Sequence, residues 1–140
     1  LAGAEIVYVA RAAQRKVMSV ALMPGSRLPA FCTSMGRVML AALPEEALVY
    51  CAHEYTQANL NFALAVEPGN PQLQSRVAAV ARARAEGRPT VPSTMALEKA
   101  TNPFLRCREP EIVAAARRRG ADAADETAVF AAIREWKNGF

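Results

Sequence analysis

Of the 140 residues, 73 are hydrophobic, but 30 of those are alanines, which leaves 43 apolar side chains large enough to build a core. That supply suits a single domain. The net charge of +4 arises entirely in the second half, where residues 71–140 carry 12 basic and 8 acidic side chains against 5 of each in residues 1–70. No uncharged run approaches the ~18 apolar residues of a membrane-spanning helix, and no basic start leads into the apolar stretch of a secretion signal. Three cysteines at scattered positions, Cys32, Cys51 and Cys107, form no disulfide framework and fit a soluble protein of the reducing cytoplasm. A start at Leu1 that runs almost at once into strand-like sequence suggests a piece of something longer.

Residues 5–11 (EIVYVAR) and 16–22 (KVMSVAL) are rich in β-branched side chains and predict an antiparallel hairpin, with Ile6, Tyr8 and Ala10 on one face opposite Met18, Val20 and Leu22. Pro24-Gly25-Ser26 ends the second strand and Pro29 keeps the next segment extended. Met35, Val38, Met39 and Ala42 then predict a helix over 33–43, with Cys32, Thr33 and Ser34 at its capping end. Pro44-Glu45-Glu46 predicts a second short helix through about Cys51. Residues 53–72 read as a polar connection bearing proline and glycine, and Leu60–Val66 and Pro89–Leu97 are the only candidates for further strands. Leu73, Val77 and Val80 recur at helical spacing up to Gly87. Two more helices are expected: Pro110–Arg119, stopped by Gly120, and Asp125–Lys137, where Val129, Phe130, Ile133 and Trp136 form an apolar stripe.

The stretch Arg27–Arg37 delivers an extended chain into a capped helix start. Such a start presents unpaired N–H groups and partial positive charge, so it can hold a carboxylate; equally, Ser34 or Thr33 caps the helix and Gly36 lets it pack closely. Chemistry alone leaves both readings open. Tyr8-Val9-Ala10-Arg11, followed by Gly25-Ser26-Arg27-Leu28-Pro29-Ala30-Phe31-Cys32-Thr33-Ser34-Met35-Gly36-Arg37-Val38-Met39-Leu40-Ala41, resembles the effector-binding domain of IclR-family transcriptional regulators. The wording of Arg27–Ser34 is closest to the branch that regulates protocatechuate and β-ketoadipate catabolism. The resemblance covers about the first half of the chain.

It implies an α/β (α+β) fold of GAF-like type, an antiparallel sheet flanked by helices. In that fold the sheet binds a small, often carboxylated metabolite and is joined to an N-terminal winged helix-turn-helix. The family's effector-contacting backbone groups fall on Ser34 and Met35. Thr33 at the same helix start, with Leu28, Met18 and Val20 as apolar wall, completes the expected effector site. Between Leu60 and Phe140 nothing reproduces the family's Gly-Leu-Arg/Ser-Ser/Cys-Ile-Ala-x-Pro strand. A divergent member, a fusion with unrelated sequence and a reading-frame change all stay open.

Cys32, Cys51, His53 and Cys107 lack the ligand spacing of any zinc motif, and His53 is the sole imidazole available as a base to Cys32 or Ser34. The arginines of the second half are interleaved with Glu86, Glu109, Glu111, Asp122, Asp125 and Glu126, so a solvated helical face outweighs a nucleic-acid surface. The resulting expectation is one sensor domain over 1–140, family-like over 1–66 and divergent and helical over 67–140. It is no enzyme and takes no metal and no cofactor. Its expected partners are a small organic acid effector, DNA through a winged-helix module absent here, and further copies in a homodimer or homotetramer. An oligomerisation or interaction domain without a ligand is the alternative, and a small-molecule hydrolase or isomerase the third reading.

Overall fold

The computed structural model describes residues 5–7, 27–29, 43–51 and 53–140, and the chain divides into two compact units, Leu1–Ala42 and Leu43–Phe140. In the first unit, β1 (Glu5–Val7) pairs antiparallel with β2 (Arg27–Pro29), Ile6 lying opposite Leu28. Pro29 biases Leu28 towards extended backbone, which suits it to this pairing. The expected partner of β1, residues 16–22, lies outside the described residues, as does the expected helix up to residue 42.

The second unit runs β3 (Leu48–Val49), α1 (Thr56–Val66), α2 (Pro71–Ala85), β4 (Ser93–Thr94), α3 (Met95–Thr101), a 3-10 turn (Pro103–Leu105), α4 (Pro110–Arg117) and α5 (Glu126–Asn138). The fold is α+β and helix-rich. Among the described residues no helix is long and apolar enough to cross a membrane.

Three sequence expectations are corrected here. Residues 44–51 form no helix: Ala47 N–H donates to the Pro44 carbonyl at 3.0 Å in a turn, and β3 then pairs antiparallel with β4, Leu48 opposite Thr94. A helix of so few residues is marginal without packing, and the strand edge supplies the competing hydrogen bonds. Residues 53–72 are no open connection, because α1 occupies Thr56–Val66. Its apolar residues bury on two sides, Leu60 and Ala63 against Leu73 and Val80 of α2, and Phe62 and Val66 against Ile112, Ala115, Ala116, Val129 and Ile133 of α4 and α5. Two buried sides blur the amphipathic period into a short apolar run, which mimics a strand. Finally, Pro89–Leu97 contributes only the two residues of β4 before Thr94 caps α3, accepting from Leu97 N–H at 3.2 Å.

The remaining helices follow their signals. Asn70 caps α2, its Oδ1 accepting from the amides of Gln72 and Leu73 at 3.0 and 3.1 Å. Asp125 caps α5 by accepting from Thr127 N–H at 2.8 Å. Gly87 and Gly120 follow α2 and α4 with φ of 71° and 85°, the left-handed backbone that ends helices and favours glycine. At their starts α4 and α5 are joined by Arg108 and Glu126, 2.8 Å apart, and beyond the end of α4 Arg119 lies over Trp136 near the end of α5. The two helices therefore bring their C-terminal ends to one side of the unit.

Candidate binding surface

Ser34, Met35, Thr33, Met18 and Val20 lie outside the described residues. Leu28 is described only as backbone, paired with Ile6 in β2. Apart from the Leu28 backbone, the expected effector site thus lies outside the described residues. The feature that stands out is in the second unit, where an aromatic cluster meets unpaired cations.

Phe62 of α1, 1% exposed, is the hub of that cluster. Trp136 meets it edge-on at 5.5 Å and 76°, Phe140 at 5.3 Å and 72°, and Phe104 lies nearly parallel at 6.0 Å. Such edge-to-face pairs set the angles of the rings as well as burying them. Lys137 Nζ stands 5.1 Å from the Phe62 centroid and 5.5 Å from that of Phe140, while Arg119 Cζ lies 3.6 Å from the Trp136 centroid. Arg117 at the end of α4, Arg118 just beyond it and Arg134 of α5 are also exposed. None of these cations pairs with a carboxylate among the described residues. Cations at the ends of α4 and α5 also face the negative ends of the helix dipoles. Chemically, the arrangement offers apolar ring faces bordered by positive charge, which fits an anionic ligand with flat or aliphatic parts.

The start of α1 carries a second group. His53 and Tyr55 are exposed, their rings 5.8 Å apart and tilted by 39°. Glu54 accepts from the Thr90 hydroxyl at 2.8 Å and amide at 3.3 Å, and Arg84 stands 3.4 Å away. The Thr90 hydroxyl, above all, holds its carboxyl below the usual range against the opposing effect of burial, with the Thr90 amide and then Arg84 adding to it. Tyr55 precedes Phe62 by two helical turns, so both lie along one side of α1 about 10 Å apart at 1.5 Å per residue.

Beneath these surfaces, two buried polar clusters fix the helices. Glu67 accepts from Arg106 Nε at 3.0 Å, Arg106 Nη2 at 2.8 Å and Asn70 Nδ2 at 2.9 Å. The hydrogen bonds to Glu67 push the Arg106 guanidinium above its ordinary value, with burial opposing and the charges of Glu67 and Glu109 reinforcing. Glu98 accepts from Ser93 at 2.6 Å, Arg76 at 2.7 Å and Asn102 at 3.1 Å. Burial alone raises its carboxyl, but the Arg76 charge and the three donors outweigh it and hold it below the usual range. Cys107 is buried and donates to the Pro103 carbonyl at 3.6 Å; burial, then the Glu126 charge, pushes its thiol up to about 11. It is therefore poorly suited as a nucleophile. Among the described residues no three of His, Cys, Asp or Glu come together as a metal site.

Lys137 was not among the residues singled out from the sequence, and Arg119 figured there only as one of the second-half arginines read as a solvated helical face. The available signal was the recurrence of Phe130, Trp136 and Phe140 around Lys137, beside an arginine run ending in the positive-φ Gly120.

Fold and surface together define a helix-rich α+β module with a cation-bordered aromatic face. The family profile described as the hydroxyacylglutathione hydrolase C-terminus matches residues 54–140, and this chain belongs to that family. A second profile, bacterial transcriptional regulator IclR C-terminal, matches residues 1–63. The hydroxyacylglutathione hydrolase of Dechloromonas aromatica (strain RCB) is 56% identical over 115 residues, covering 72% of this chain and 43% of that protein. Those of Cupriavidus metallidurans and Nitrosomonas europaea are 54% and 52% identical over 101 and 102 residues, 72% of this chain in each case and 38% and 39% of theirs. The chain spans about two fifths of the length of these relatives.

These findings correct the regulator reading. IclR likeness is confined to residues 1–63, and the larger part of the chain is similar to an enzyme family. The expectations of a ligand sensor, of a non-enzyme, and of an organic acid effector and a DNA-binding module as partners are overturned by the relatives named hydrolases. The dense motif of residues 8–41 lies within the IclR match and does not speak for residues 64–140.

Proposed function

We propose that residues 43–140 are the substrate-recognition part of a hydroxyacylglutathione hydrolase, holding the glutathione portion of the thioester on the face formed by Trp136, Phe140 and Lys137 above the buried Phe62, with Arg134 at its margin. One observation carries this reading: within the matched segment, Lys137 is seated on two aromatic rings with no carboxylate partner among the described residues. Glutathione presents two carboxylates, an ammonium and an aliphatic spine, and a face of rings bordered by cations matches that chemistry. Thioester cleavage requires an activated nucleophile, and the buried Cys107 thiol offers none. Recognition rather than bond cleavage is the role these residues support.

The test is a chimera in which residues 54–140 replace the matching segment of the Dechloromonas aromatica enzyme. It should hydrolyse a hydroxyacylglutathione, and Lys137→Ala in the chimera should raise KM about tenfold, the worth of one charged hydrogen bond, with kcat nearly unchanged. An unmoved KM would remove this face from recognition. For the first unit we infer a GAF-like sheet, supported by the β1–β2 pairing. The free thiols of Cys51 and Cys107 support a cytoplasmic setting.

A further inference from the structure

Arg119 lies just past the end of α4, exposed, and its guanidinium carbon sits 3.6 Å from the Trp136 centroid. A guanidinium in face contact with an indole keeps its N–H donors in its own plane, directed sideways and open to a bidentate acceptor. Trp136 is in turn braced edge-on against the buried Phe62. The support is therefore rigid, and the ordering of a long flexible side chain is largely complete before any ligand arrives.

Lys137 uses the same brace. Arg119, Trp136, Phe62 and Lys137 form one chain of contacts of 3.6, 5.5 and 5.1 Å. An extended tripeptide spans about 10 Å, and glutathione carries a carboxylate at each end. We propose that Arg119 is a second carboxylate anchor of this surface: its planar fork receives one terminal carboxylate of the glutathione portion while Lys137 holds the other. This rests on the recognition role proposed above and adds a residue and a geometry to it. The competing role for Arg119 is to cover Trp136 and offset the dipole of α4, which predicts no effect on a ligand.

Trp136 is the only tryptophan of the chain, so its fluorescence reports on the site directly. The full 140-residue chain is titrated with glutathione and with its glycyl monoethyl ester, as wild type and as Arg119→Ala, Arg119→Lys and Lys137→Ala. Saturable quenching is expected in the wild type. Both Arg119 variants should raise Kd about tenfold, because lysine keeps the charge but not the fork. With the monoester, either the Arg119 or the Lys137 substitution should lose its effect, which identifies the carboxylate each one holds. Wild-type affinity in Arg119→Ala would overturn the anchor and leave the recognition role standing. Wild-type affinity in Arg119→Lys would overturn the bidentate geometry, and no response of the wild type to millimolar glutathione would overturn both. Arg119→Lys keeps the test open should the alanine variant fail to fold.

Discussion

Glu67 and Arg106 set the terms on which a small helical unit keeps charge inside. Glu67 is 5% exposed and takes donors from Arg106 and Asn70, while Arg106 Nη1 also donates to the Lys99 carbonyl at 3.3 Å. Removing one partner of such a pair strands the other in a low-dielectric setting. Arg106→Ala should therefore cost about 3–5 kcal/mol, seen as a lowered urea midpoint with unchanged slope. Glu98 responds to pH instead. Its folded carboxyl lies below the usual range, so in acid the unfolded chain takes up the proton first and protonation favours unfolding. The stabilisation is complete above the unfolded value of about 4.3 and is lost as pH falls through the folded one. Cys107 acts on the opposite limb: its thiol is pushed up to about 11, so its contribution is lost as pH rises from about 8.5 towards that value. Glu98→Gln should flatten the acid limb of a stability–pH curve and Cys107→Ala the alkaline limb.

At the scale of the element, two helix ends isolate a purely conformational effect. A Cβ built at Gly87 or Gly120 meets no atom within 4 Å, yet both residues have positive φ. Gly120→Ala should therefore cost about 1–2 kcal/mol from backbone strain alone, and Gly120→Asn less, as thermal unfolding of the pair would show. The same elements show what the sequence discloses. α2, α4 and α5 were legible because each has one buried stripe and a marked end: Asn70 and Asp125 as caps, Gly87 and Gly120 as stops. α1 was hidden because it packs on both sides, and α3 because Thr94 caps a helix of only seven residues directly after a two-residue strand. The binding face was hidden for a related reason. Phe62 is distant in sequence from Trp136 and Phe140, and only the docking of α1 on α5 sets the buried ring beneath Trp136, Phe140 and Lys137.

At the scale of the whole chain, the motif of residues 8–41 was legible and the division after Ala42 was not, because the IclR likeness runs on to residue 63 although Leu48–Val49 is bonded into the second unit. Its role there is specific. Met95 N–H donates to the Ala47 carbonyl at 2.8 Å and Ala96 N–H to the Glu45 carbonyl at 2.9 Å, so the segment before α1 supplies acceptors for two of the otherwise unpaired amides that open α3. A fragment of residues 43–140 should therefore unfold cooperatively at the denaturant midpoint of that unit in the full chain. A fragment of residues 54–140 loses both acceptors and the β3 partner of β4, leaving those amides to water. It should be less stable by about 1–3 kcal/mol, two ordinary hydrogen bonds, and exchange Met95 and Ala96 amide protons fastest within α3. Equal stability of the two fragments would place the true edge of the unit at the start of the family match and make the β3–β4 pair a passive contact.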